Sequence, residues 1–254
     1  MPLPLPDVAW PVLAAVPLIV LAAYTMFGAT GFGSSLIAVP LLAHAFPLTF
    51  AVPFVTTLDG AATVTASRAQ WRDAAWPEIR RILPAALAGI ALGATVLVNL
   101  PRAPAMLALG LFVGAYGVWH WLGARKMSRA NPWWSVPIGV VGGVFSVLFG
   151  TGGPIYMVYL SARLRDKTAL RATSSLLVTF SVWTRIAVFV VSGLLLDAPM
   201  LVLAAMMIPL MFAGLRLGNR LHHALSAPGV LRLVSVLLVA NGGLLVARAL
   251  GALR

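Results

Sequence analysis

The chain has 254 residues, of which 61% are hydrophobic and 9% charged, where a soluble domain of this size would carry roughly a quarter charged; a soluble globular protein is excluded. A formal charge of +12 does not make it a nucleic-acid binder. Arginines and lysines fall in short joints between apolar runs rather than along one basic stripe, the distribution of the positive-inside rule, and the absence of cysteine removes disulfides, thiolate metal sites and thiol nucleophiles.

Taken in order, the first apolar run covers about residues 8–27. No lysine or arginine precedes Arg68, so the charged region of a secretory signal is missing. The run is expected to stay in the protein and to enter the membrane with its amino end outward, carrying Asp7 and no basic residue. Phe27-Gly28-Ala29-Thr30-Gly31-Phe32-Gly33-Ser34-Ser35 then interrupts helix inside apolar sequence. Run two covers about 33–46 and contains Pro40; run three covers about 49–66. The polar joint Ser67–Arg81 follows, with Trp71 and Trp76 as interface anchors. Run four extends to about Asn99 and run five, after the joint Leu100–Pro104, to about Gly123.

The joint carrying Arg125, Lys126 and Arg129 divides the chain into a first membrane repeat, 1–123, a cytoplasmic linker, 124–132, and a second, inverted membrane repeat, 133–254. Trp133 and Trp134 open the second half, and run six, about 134–149, ends in a second break, Phe149-Gly150-Thr151-Gly152-Gly153-Pro154. Run seven, about 154–162, is too short to cross about 30 Å of hydrocarbon at 1.5 Å per residue. After Arg163, Arg165 and Lys167 come runs eight, nine and ten, about 169–193, 199–220 and 229–250. Pro84, Gly89 and Gly93 return as Pro209, Gly214 and Gly218 at a constant offset, a sign of duplication and a spacing that also suits close helix packing.

Placing the basic joints in the cytoplasm puts those with His44, Arg102 and Asp197 outside. Equivalent joints of the two halves then lie on opposite faces, as five runs per copy require. The expected fold is an all-α integral membrane protein of two inverted repeats, with about five hydrophobic segments each and glycine-broken helical hairpins meeting near the midplane. His44, His120, His222 and His223 are not spaced as metal ligands, and neither metal nor cofactor is expected.

Backbone that leaves the helix inside hydrocarbon is tolerated only where protein or a water-filled cavity satisfies its amides. Runs two and seven each start just after a break. The amides around Gly31, Gly33, Ser34 and Ser35, and around Thr151, Gly152 and Gly153, are therefore expected to bind a small oxyanion at two helix amino termini. A plain interhelical turn is the alternative, with the hydroxyls as helix caps.

Two ionisable residues fall inside apolar runs: Asp59 in run three and Arg185 in run eight. Each costs roughly 2.5 to 3.5 kcal/mol on insertion scales and so marks a functional candidate. Arg185 is expected to attract the anion and Asp59 to take up a proton, against the alternative of a permanent structural pair. Thr56, Thr57, Thr173, Ser174 and Ser175 are expected to line the cavity, or else to bond between helices. Arg171 belongs at the cytoplasmic rim, with Arg216 and Arg220 snorkelling to the same face.

The opening Gly28-Ala-Thr-Gly31-Phe-Gly33-Ser-Ser-Leu-Ile-Ala-Val-Pro40, its second copy at Phe149–Pro154 and the following Ala172-Thr-Ser-Ser-Leu resemble the TauE/SafE sulfite exporter family over nearly the whole chain. The resemblance implies a bacterial inner-membrane transporter of small anions, with sulfite and short organosulfonates such as sulfoacetate as substrates. The resulting expectation is a secondary-active transporter, an exporter by the family's name, that is not an enzyme. Its partners are a small anionic substrate, protons and membrane lipid, with no nucleic acid. Two alternatives stand beside it: a passive anion channel, and an intramembrane hydrolase with Ser34 as nucleophile, for which no histidine base is in reach.

Overall fold

The computed structural model describes residues 10–30, 33–99, 101–122, 130–224 and 227–252. All regular structure among them is helical: α1 (Trp10–Thr30), α2 (Ser34–Ala43), α3 (Leu48–Gln70), α4 (Trp76–Asn99), α5 (Arg102–Trp121), a 3-10 turn at Pro132–Trp134, α6 (Ser135–Phe149), α7 (Gly152–Arg163), α8 (Lys167–Val191), α9 (Ala198–Ala224) and α10 (Ala227–Ala252). Four stretches among the described residues, Trp76–Leu97, Pro132–Phe149, Thr168–Val191 and Ala198–Arg220, are long and apolar enough to cross a membrane. The protein is a membrane protein.

Helix boundaries follow the apolar runs within a few residues, with one instructive difference. The polar joint expected over Ser67–Arg81 is mostly helix, because α3 continues to Gln70 and α4 begins at Trp76. A helix need not stop where hydrocarbon does, and charged residues on its end turns extend their heads to the interface. The connection itself is fixed by the amide of Ala75, which donates to Thr173 Oγ1 at 2.8 Å and so ties the α3–α4 turn to α8.

The short members α2 and α7, of 10 and 12 residues, reach only about 15 and 18 Å. Each folds back on the helix before it, α2 on α1 and α7 on α6. The two hairpins open toward opposite ends of the bundle. At one end the backbone carbonyl of His44, just after α2, accepts from Arg248 near the end of α10. At the other, Arg163 on the last turn of α7 bonds Glu78 at the start of α4 and the carbonyl of Ala130.

The closest packing pairs persist when α1–α5 are exchanged for α6–α10, although α2 also packs on α5 and α10 without an equal counterpart at α7. The pair α4 with α6 answers α9 with α1, and α4 with α8 answers α9 with α3, while α3–α8 and α5–α10 map onto themselves. The glycines matched in the sequence lie in these answering contacts. A Cβ on Gly89 or Gly93 would strike Val140 or Val144 of α6, and one on Gly214 or Gly218 would strike the α1 backbone at Leu21 or Thr25. Where lipid is as apolar as any side chain, close backbone approach of this kind supplies the association energy.

The hairpin that opens beside Glu78 is held by a polar cluster around that buried carboxylate. Tyr159 donates to Glu78 Oε2 at 2.7 Å, and Arg163 and Arg81 reach Oε1 at 2.8 and 2.9 Å. One carboxylate thereby joins α4 to α7.

Gly218→Ala should lower the thermal midpoint of the purified protein, an overpacking loss of about 1–3 kcal/mol, because its methyl meets the Thr25 carbonyl. Gly243→Ala, whose Cβ enters open space, should leave the midpoint unchanged or slightly raised. Equal shifts for the two would contradict the α1–α9 contact.

Candidate functional site

The two glycine breaks meet. Gly33, at φ 100°, precedes α2, and Gly150, at φ 72°, ends α6; both need the left-handed backbone that glycine alone adopts without strain. A Cβ at Gly150 would lie 2.5 Å from Ser35 Oγ and 3.2 Å from Arg185 Nη1. The tip of one hairpin thus rests on the first turn of α2 in the other.

Behind this contact α3 crosses α8 at Gly60 and Ile186, which sets Asp59 beside Arg185. Both are buried, at 3% and 2% exposure. Arg185 Nη2 lies 3.6 Å from Asp59 Oδ2, an ion pair without the length of a hydrogen bond. The carboxylate draws its direct bonds from hydroxyls: Tyr24 at 2.8 Å and Ser34 at 2.7 Å to Oδ1, and Ser35 at 3.2 Å to Oδ2. Arg185 Nη1 donates to the Ser146 carbonyl at 2.9 Å, at the end of α6 where a cation meets the negative end of the helix dipole. One turn before Arg185, Ser181 shares a hydrogen bond with the Ser146 hydroxyl and pins α8 to the same spot.

Between the breaks lies a cavity of about 20 Å³, walled by Phe27, Ser34, Ser35, Asp59, Gly150, Thr151 and Arg185, among others. That is room for about one water molecule. Two buried donors in its wall, Arg185 Nε and Thr151 Oγ1, have no hydrogen-bond partner among the described residues. In the first turns of α2 and α7 the Leu36 amide bonds the Gly33 carbonyl and Pro154 has no amide hydrogen, which leaves those of Ser34, Ser35, Gly152 and Gly153 without a preceding helical carbonyl, and both helices begin at this cavity. A negatively charged oxygen is the kind of acceptor that such donors suit.

The structure brings Gly33, Ser34, Ser35, Thr151, Gly153 and Arg185 to one cavity with Asp59. Gly152 starts α7 against Gly142 and Ser146 of α6. Gly31 lies outside the described residues. Ser175 lines a different space, a cleft of about 430 Å³ bordered also by Phe27, Gln70, Arg171 and Arg216. Thr57 and Ser174 donate to carbonyls of their own helices, those of Pro53 and Arg171. Tyr24, Phe27 and Ser146 were not singled out from sequence. Tyr24 is the one tyrosine of the first apolar run, and a hydroxyl in such a run is the signal that would have found it.

The chain belongs to the TauE/SafE sulfite exporter family, whose model matches residues 16–245. It is also similar to the "Probable inner membrane transporter protein TsaS" of Comamonas testosteroni, at 30% identity over 190 residues, which cover 74% of this chain and 79% of that protein. No solved structure matches it. The family makes this chain a membrane transporter of a small-molecule substrate and not an enzyme.

Removing one partner of a buried ion pair strands the other charge, at a cost of about 3–5 kcal/mol. Asp59→Leu should therefore lower the thermal midpoint more than the double variant Asp59→Leu/Arg185→Leu does. A double variant that loses the sum of the two single losses would show that the charges do not compensate each other.

Proposed function

From the chain's place in the TauE/SafE family we infer that it is a proton-coupled, secondary-active exporter of a small anion, sulfite or a short organosulfonate, in a bacterial inner membrane. Residues 1–123 and 133–254 act as two inverted repeats joined by a cytoplasmic linker at 124–132, with the amino terminus outside. The answering helix contacts and the opposite openings of the two hairpins support the repeats, and the basic joints at one end support the orientation.

One observation carries the substrate class. Arg185 Nε and Thr151 Oγ1 are buried donors without acceptors, in the wall of a cavity where two helices begin. Sulfite and sulfonate offer oxygens to several donors at once, and a dehydrated anion needs such donors already in place.

Asp59 supplies the coupling. In the observed arrangement its charge is matched by Arg185 and by three hydroxyl donors, so a second anion would meet an already neutralised site. A proton on Asp59 leaves the guanidinium unopposed and frees Ser34 and Ser35 to turn toward the substrate. One proton carried with one monoanion is electroneutral. Transport then follows the anion and pH gradients rather than the voltage, and runs outward when the internal pool is high enough to exceed the opposing pH term. The cavity of about 20 Å³ is too small for any of these anions, which makes this a closed state of the cycle.

Thermal stabilisation across sulfite, sulfoacetate, sulfolactate, thiosulfate, sulfate and short carboxylates identifies the substrate. A binder at a hundred times its Kd stabilises by about 2.7 kcal/mol, and Arg185→Gln should abolish the shift. If no sulfur oxyanion in the set stabilises the wild type, the substrate class is wrong. In proteoliposomes, saturable counterflow is expected, and single-channel currents would replace the carrier with a passive channel. Flux through Asp59→Asn should lose its response to a pH gradient; a full response in that variant removes Asp59 from coupling.

A further inference from the structure

Two spaces share one wall. The cleft of about 430 Å³ is bordered by Phe27, Gln70, Arg171, Ser175, Arg216 and Asn219, and Phe27 also borders the central cavity. Gln70 ends α3, Arg171 lies in the second turn of α8, and Arg216 and Asn219 lie late in α9. The cleft is thus at the end of the bundle that carries the basic joints. Its volume falls within the range of small-ligand sites, whereas the central cavity holds about one water.

The chemistry of this cleft is that of an anion receptor. Among the described residues neither Arg171 nor Arg216 has a salt-bridge partner, and both are exposed. Ser175, at 7% exposure, and the amides of Gln70 and Asn219 add neutral polar groups. Gln70 Oε1 is itself buried without a partner among the described residues, and the amide can present its NH2 group in the same place by a flip. Phe27 offers none of this. It is 6% exposed, sits three residues beyond Tyr24 on α1 with ring centroids 6.2 Å apart, and places an apolar side chain between the two polar spaces.

We propose that this cleft is an outer anion-binding vestibule at the cytoplasmic end, in which Arg171 and Arg216 collect the anion, and that the Phe27 side chain is the gate between it and the Asp59–Arg185 cavity. The proposal rests on the transport reading for the identity of the anion, but its geometry does not. Two guanidinium groups in a cleft raise the local anion concentration, by about tenfold or more. The gate then admits one dehydrated anion at a time to the donors of Arg185 and Thr151. Tyr24 donates to Asp59 from the same stretch of helix, so a change in the carboxylate's bonding reaches the gate through less than one turn of α1.

The chain contains no cysteine, so single thiols can be placed in the full-length protein without further change. Ser175→Cys marks the vestibule and Thr151→Cys the central cavity, each treated with the anionic ethylsulfonate and the cationic trimethylammonium methanethiosulfonate reagents. Ser175→Cys should react faster with the anionic reagent. The ratio should fall about tenfold when Arg171→Gln and Arg216→Gln are added, and should shrink in high salt. Thr151→Cys should stay unmodified while Ser175→Cys is consumed, and should become reactive when Phe27→Ala is added.

A charge ratio indifferent to the two arginines overturns the vestibule. Equal reactivity of Thr151→Cys with and without Phe27→Ala overturns the gate. If Phe27→Ala does not fold, judged by loss of the Ser175→Cys charge preference in that background, Phe27→Leu carries the same comparison with a smaller opening. These readouts need no transported substrate. A labelling pattern as expected with no sulfur oxyanion transported would sink the proposed substrate and leave the vestibule standing; sulfur-oxyanion transport with charge-indifferent labelling would do the reverse.

Discussion

Everything at the centre of this protein depends on placing a carboxylate and a guanidinium together where neither could remain alone. Asp59 and Arg185 are almost wholly buried, and an isolated charge at that depth is strongly unfavourable. Their mutual attraction is only part of the answer, since the closest approach is 3.6 Å. Three hydroxyls complete the shell of the carboxylate, and the Ser146 carbonyl, which also accepts from the Gly150 amide, completes one side of the guanidinium. The network therefore joins α1, α2, α3, α6 and α8, and the glycine breaks are what allow α2 and α6 to present a first turn and a last turn to it.

Two kinds of contact divide the work. Along α1–α9 and α4–α6, glycines bring backbones so close that even a methyl group would collide; such surfaces fit in one register and do not slide. At the hairpin tips the contacts are polar, and the proposed transport cycle would exchange them for a bound anion or a shifted proton. A bundle built in this way has rigid pairs and a rearrangeable centre, the combination required for alternating access. The Glu78, Tyr159 and Arg163 cluster adds a third element, fixing the returning arm of one hairpin to α4. At the opposite end the other hairpin is held through His44, whose ring bonds Asn241 at 2.9 Å.

Much of this was legible in the residues. Gly33 and Gly150 announced the breaks because nothing else in a long apolar run explains a cluster of glycines, and Asp59 and Arg185 stood out because insertion cost makes any ion there conspicuous. The matched Pro84, Gly89, Gly93 and Pro209, Gly214, Gly218 located the two tight pairs, though not their partners. Facing is what sequence does not carry when a helix is apolar on every side. Phe27 and Tyr24 disappear among similar neighbours, and Arg171 and Arg216 read as interface charges until α8 and α9 are seen to turn them toward one cleft. At Thr57 and Ser174 a hydroxyl in a membrane helix suggests a lined pore, and sequence does not show that both bond to carbonyls of their own helices.

The crosswise pairing of α1 with α9 and of α6 with α4 has a consequence for biogenesis. Helix α1 cannot seat against its tight partner until α9 has been translated, so it waits in lipid with its small-residue stripe uncovered, and Asp59 on α3 waits for its counter-ion on α8. Assembly of this chain is accordingly a late, single event of high contact order, in which translation of α8 and α9 releases the first hairpin from waiting.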